Sequence, residues 1–88
     1  MTRFVLEGEW SGYRSSQQRI VHREVVSAKR AERLKNLHSI RYTDGTCLYI
    51  EIREAKYREK VTPILGYSSL ISQAERTGKS YVTVEELK

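Results

Sequence analysis

The stretch Ile40-Arg41-Tyr42-Thr43-Asp44-Gly45-Thr46-Cys47-Leu48-Tyr49-Ile50-Glu51-Ile52 constrains this chain more than any other part of it. Asp-Gly between two alternating runs is a hairpin signature, because a tight turn needs backbone at positive φ. Register then decides the loop length. A two-residue Asp44-Gly45 loop sets Arg41 across from Leu48 and mixes polar with apolar positions. A three-residue Thr43-Asp44-Gly45 loop, with Gly45 left-handed, pairs Tyr42 with Thr46 and Ile40 with Leu48. Ile40, Tyr42, Leu48, Ile50 and Ile52 then form one face, and Arg41, Cys47, Tyr49, Glu51 and Arg53 the other. A slip of one residue would invert every side chain, so the sequence predicts the three-residue loop.

The flanking segments extend this into a sheet with helices. Residues 3–10 read as a strand, with Phe4, Leu6, Gly8 and Trp10 on one face and Arg3, Glu7 and Glu9 mostly on the other. Ser11 to Ser16 is rich in turn residues and reads as a loop. Residues 17–27 carry Ile20-Val21 and Val25-Val26. Such β-branched pairs favour a strand over the competing reading, one long helix from Ser16 to Leu37 capped by Ser15 and Gln18. The apolar pattern there is not a clean alternation, which predicts a bulge.

Ser27 can cap a short helix reaching Leu37, with Ala31, Leu34 and Leu37 on its apolar stripe. Glu54 to Lys60 reads as a solvated connection and Thr62-Pro63 as the start of a helical turn. Ser68 or Ser69 then caps a second helix with Leu70, Ile71 and Ala74 inward, Arg76 near its end and Gly78 as its stop. Ser80 to Val84 reads as a last strand, and Glu85-Glu86 as a wet tail. The expectation is one α+β domain over residues 1–88. It has a mostly antiparallel sheet of four to five strands in the order β-β-α-β-β-α-β, with two short helices. The first strand is expected at a sheet edge, where Phe4, Leu6 and Trp10 would invite homodimer pairing.

Most chemistries lack their parts. His22, His38 and Cys47 stand sixteen and nine residues apart, without the close spacing of metal ligands or a supported Cys-His nucleophile. Ser68-Ser69 has no partner base nearby, the five glycines form no phosphate-binding loop, and no carboxylates are paired for acid-base work. The expectation is no enzyme, no metal and no cofactor. A lone Cys47 suits a reducing compartment. The apolar run after Met1 is too short for a signal peptide, and no window approaches a membrane span. A soluble, cytoplasmic protein is therefore expected.

Charge is the remaining signal. The net charge is +5, and an excess of the same size lies between Arg14 and Lys35, where seven bases face only Glu24 and Glu32. A local basic stretch attracts phosphates or an acidic protein face. Lys29 and Arg30 fall in the first turn of the Ser27-capped helix, beside its positive pole, where cations are unfavourable unless an anion arrives. The predicted anion-receiving surface is Arg19, Arg23, Ser27, Lys29, Arg30, Arg33 and Lys35, with Tyr13, Tyr42 and Tyr49 as candidate base-stacking residues.

The function expected is a small non-enzymatic binding protein whose basic face, residues 14–35, contacts nucleic acid or a nucleoprotein. Two alternatives stand beside it. One is an inhibitor or adaptor that docks on an acidic or nucleic-acid-binding face of a host protein. In size and character the chain resembles accessory proteins of phages and other mobile elements, though no motif carries that likeness. The other is a binder of a small phosphate-bearing ligand.

Overall fold

The hairpin adopts the register that its faces demand. A computed structural model describes residues 2–11 and 18–87. In it β3 (Ser39–Arg41) and β4 (Cys47–Glu54) pair antiparallel with Ile40 opposite Leu48. The Tyr42 N–H donates to the Thr46 carbonyl at 2.9 Å, and the Gly45 N–H to the Tyr42 carbonyl at 3.1 Å. Gly45 has φ 93°, a conformation that glycine reaches without steric cost. Asp44 completes the loop: its Oδ1 accepts from the Thr46 N–H and hydroxyl. Those two bonds hold the Asp44 carboxyl below its ordinary pKa.

The other elements are β1 (Phe4–Ser11), β2 (Gln18–Val26), α1 (Ala28–Leu34), α2 (Ser68–Thr77), β5 (Tyr81–Thr83) and a closing 3-10 turn (Val84–Leu87). The fold is α+β, and residues 18–26 are strand rather than the start of a long helix. The sheet runs β2-β1-β4-β3-β5. All pairs are antiparallel except β3 with β5. The expected bulge sits in β2: Gly8 pairs with His22 and Glu9 with Ile20, which leaves Val21 unmatched.

Three expectations are corrected. β1 is not an edge strand, because β2 and β4 pair with its two sides over its whole length. Its backbone groups are satisfied, so a dimer built on that edge loses its basis. Thr62-Pro63 starts no helix. Ile64 instead exchanges backbone hydrogen bonds with Arg23 at 2.8 and 2.9 Å, so this segment lies along the outer side of β2. Finally, neither serine caps α2. Tyr67 is its N-cap residue without a side-chain bond, and the Ser68 hydroxyl donates to the Leu65 carbonyl.

Both helices cover one face of the sheet. Leu6, Val26, Ile40, Leu48, Ile50 and Val82 from the strands pack with Ala31 and Leu34 of α1 and Ile71 and Ala74 of α2. Trp10 closes one end of this core, edge-on to Tyr42 and stacked on Tyr67. Burial holds the Tyr42 hydroxyl above its usual pKa. Among the described residues no helix lies on the opposite face of the sheet. There Glu7 binds Arg23 at 2.9 Å and Arg53 at 3.2 Å. The connection after β4 is an ordered ion pair and not merely a solvated run: Glu59 takes both terminal nitrogens of Arg53 and the Lys56 N–H. The tail is tied as well, since Glu86 accepts from Lys79 and from Thr83.

Two predictions follow from this packing. A Cβ on Gly8 would stand 3.0 Å from the His22 Cβ, which its paired strand holds in place, and 3.3 Å from Leu48 Cδ1. Gly8→Ala should lower unfolding free energy by about 1–3 kcal/mol, read by urea denaturation. The bonds from Arg53 and then the Lys56 N–H hold Glu59 at about 2, against an ordinary 4.5. A depressed carboxylate stabilises fully above the ordinary value and stops doing so as pH falls through the folded one. Urea titrations of the parent and Glu59→Gln should therefore differ at pH 7 and converge as pH falls from 4.5 to 2.

Candidate functional site

Ser27 caps α1 as expected. It is extended, at φ −69° and ψ 160°, and its hydroxyl accepts the Arg30 N–H at 3.1 Å. The cap aims Arg30 and Arg33 at α2, and the structure supplies anions for them. Arg30 reaches Glu24 through Nη1 and Glu75 Oε1 through Nε, the latter at 3.3 Å. Arg33 binds Glu75 Oε2 at 2.9 Å. Part of the cost of cations at this helix start is thus offset within the molecule.

The same chain of contacts runs into the core. His22 is fully buried, and its Nε2 lies 3.0 Å from Glu24 Oε2. A carboxylate only accepts, so this contact places a ring proton on Nε2. Among the described residues Nδ1 has no hydrogen-bond partner. The order is His22, Glu24, Arg30, Glu75, Arg33, from the sheet outward to solvent.

Between α1 and α2 this arrangement forms a cleft of about 430 Å3, lined by Arg30, Arg33, Ser72, Glu75 and Arg76. Three guanidinium groups and one carboxylate therefore line it, with Glu24 bound to the far side of Arg30. Among the described residues Arg76 makes no ion pair, and Arg33 is more than half exposed. Arginine presents a planar fork of donors suited to phosphate oxygens. The cleft can hold an anion; it holds no arrangement of nucleophile and base.

The residues expected to form one surface divide. Arg30, Arg33 and the exposed Lys29 belong to the helix layer, while Lys35 pairs with Glu32 beside them. Arg23 lies on the other face of the sheet, tied to Glu7. The bulge at Val21 puts Arg19 opposite Trp10, on the helix-bearing face but remote in register from Arg23. Ser27 serves as a cap. Tyr42 is packed against Trp10 and half-buried, and Tyr49 is exposed on the helix-free face. Tyr13 lies outside the described residues. No group of three or more potential metal ligands comes together among the described residues; Cys47 is buried, and His22 lies on the helix-bearing face of β2.

Sequence reasoning passed over Ser72, Glu75 and Arg76. Their spacing places them on one side of α2, which was a usable signal. That this side faces Arg30 and Arg33 depends on helix docking. No family model, no curated protein and no solved structure matches the chain.

The carboxylate at the centre of the cleft should carry measurable stability. Glu75→Gln leaves Arg30 and Arg33 without their shared anion and should cost about 1–2 kcal/mol in urea denaturation. Added inorganic phosphate should restore part of that loss.

Proposed function

We propose that the protein is a non-enzymatic binding module that grips the phosphate backbone of a nucleic acid with its helix layer. One observation supports this reading: Arg30, Arg33 and Arg76, from two helices, line a cleft in which Glu75 is the one carboxylate among the described residues. Lys29 and Lys35 extend the basic surface along α1. Phosphate contacts of this kind give affinity without reading sequence, and they release counterions, so binding falls steeply with salt. The reading no longer uses Arg23, which faces the other way, and it does not need stacked tyrosines.

An inhibitor or adaptor that docks on an acidic protein face, in the manner of mobile-element accessory proteins, would use the same arginines. Oligonucleotide binding separates the two. No helix among the described residues is long and apolar enough to cross a membrane, and the single cysteine fits work in the reducing cytoplasm. Homodimerisation, if it occurs, has β5 as the available sheet edge, since β1 is interior and Ile64 bridges to β2.

The test is a salt series of fluorescence anisotropy with single- and double-stranded oligonucleotides. The triple variant Lys29→Glu, Arg33→Glu, Arg76→Glu should reduce the slope of log K against log salt by about 2–3. Equal binding by parent and variant, or no binding by the parent at low salt, overturns the reading.

A further inference from the structure

The helix-free face of the sheet carries a second site with the opposite charge. Register aligns one residue from each strand in a row: Ile20, Glu9, Tyr49, Ser39 and Tyr81. Tyr49 and Tyr81 flank the small Ser39 and are 45% and 69% exposed, whereas Ser39 is only 3% exposed. Two strand spacings separate the tyrosines, about 10 Å at the backbone. Each of these exposed rings offers a face against which a planar group can stack. His38 supports one wall, its ring 5.7 Å from that of Tyr81. The whole forms a groove of about 370 Å3 that also includes Glu7, Glu9 and Glu51.

Arg41 adjoins Ser39 and Tyr81 at the rim, but the lining of the groove itself is acidic. Glu7 is already held by Arg23 and Arg53. Glu9 and Glu51 line the groove with no ion-pair partner among the described residues. Glu51 stands directly across from Glu7, a like-charge pairing that costs stability unless cations offset it. Arg23 and Arg53 offset half of that pair, and the Glu51 half is open. The nearly buried Ser39 alternates with the core residue Ile40, which sets it toward the groove floor.

We propose that this groove is a docking site for an arginine side chain presented by a partner protein. A guanidinium is planar, stacks on tyrosine faces and binds carboxylates in a fork, so Tyr49, Tyr81, Glu9 and Glu51 match each of its properties. Lysine satisfies the charge but brings no plane to stack on a tyrosine. A nucleobase brings the plane, but its phosphates would meet Glu9 and Glu51. The site lies on the opposite face of the sheet from the arginine cleft and is independent of the nucleic-acid reading. If both hold, the protein joins a nucleic acid on its helices to a basic protein on its sheet.

The test uses a fluorescein-labelled Gly-Ser-Arg-Arg-Arg-Ser-Gly peptide, its citrulline counterpart and the full-length 15N-labelled protein. The arginine peptide should move the amide signals of Ser39, Tyr49, Glu51 and Tyr81. Citrulline keeps the shape and removes the charge, and should weaken binding about tenfold or more. Glu51→Gln, a conservative change at an exposed position, should do the same, as should Tyr49→Ala. Lys29→Glu, Arg33→Glu, Arg76→Glu should leave peptide binding intact, which distinguishes failure of this site from failure of the helix face. Equal binding of the two peptides, signals that move elsewhere, or no shifts at millimolar peptide overturn the proposal. Stronger shifts of the same signals with adenosine monophosphate also overturn it. So does concentration-dependent self-association that Glu51→Gln abolishes, which would give the groove to a second copy.

Discussion

The double pairing of β1 is the constraint on which the rest of the molecule depends. β1 hydrogen-bonds to β2 on one side and β4 on the other from Phe4 to Ser11. Once a strand is held on both sides, its pleat fixes which face each neighbour presents. Leu6 and Trp10 go to the helices together with Ile50, Leu48 and Ile40. Glu7 and Glu9 go to the other side together with Tyr49, Glu51 and Arg23. Gly8 is where this arrangement is tightest, because His22 and Leu48 both approach its missing side chain. The two-sided character of the protein, basic helices over a sheet face where tyrosines and carboxylates stand among Arg23, Arg41 and Arg53, follows from that one strand.

The helix layer is joined to the sheet by polar contacts as well as by the apolar core. Glu24 lies on β2 between buried His22 and Arg30, and Glu75 lies on α2 between Arg30 and Arg33. Two carboxylates thus link three elements. A buried charge survives only when it is paired, and here each carboxylate has two partners. The arrangement also explains why a short basic helix tolerates Arg30 at its start. Enough arginine is left over at the solvent end, in Arg33 and Arg76, to meet an anion from outside.

Much of the fold could be read from local pattern. The Asp44-Gly45 turn, the Ala31-Leu34-Leu37 stripe and the β-branched pairs of β2 each follow from steric rules within a few residues. The hairpin register sets Tyr49 on the face away from Ile40 and Leu48, and the structure leaves it exposed there. What escaped was long-range. Glu75 shows no purpose, and Arg76 only that of a cation near a helix end, until α2 docks beside α1. Tyr81 enters the groove only through the parallel pairing of β5 with β3, a contact across forty residues that no hairpin rule describes. Thr62-Pro63 satisfied a rule for helix starts, but the backbone of Ile64 found a better partner in Arg23.

The sequence by itself determined the elements, their order, the hairpin register and the concentration of positive charge near α1. These depend on backbone geometry and on side-chain periodicity, which act over a few residues. Only the tertiary structure decided the strand order, the division of the arginines between two faces, and the convergence of α1 with α2. It alone set Tyr49 and Tyr81 on either side of Ser39. Those outcomes depend on which apolar faces bury one another and which charges must then be paired, and such choices are made between segments far apart in the chain.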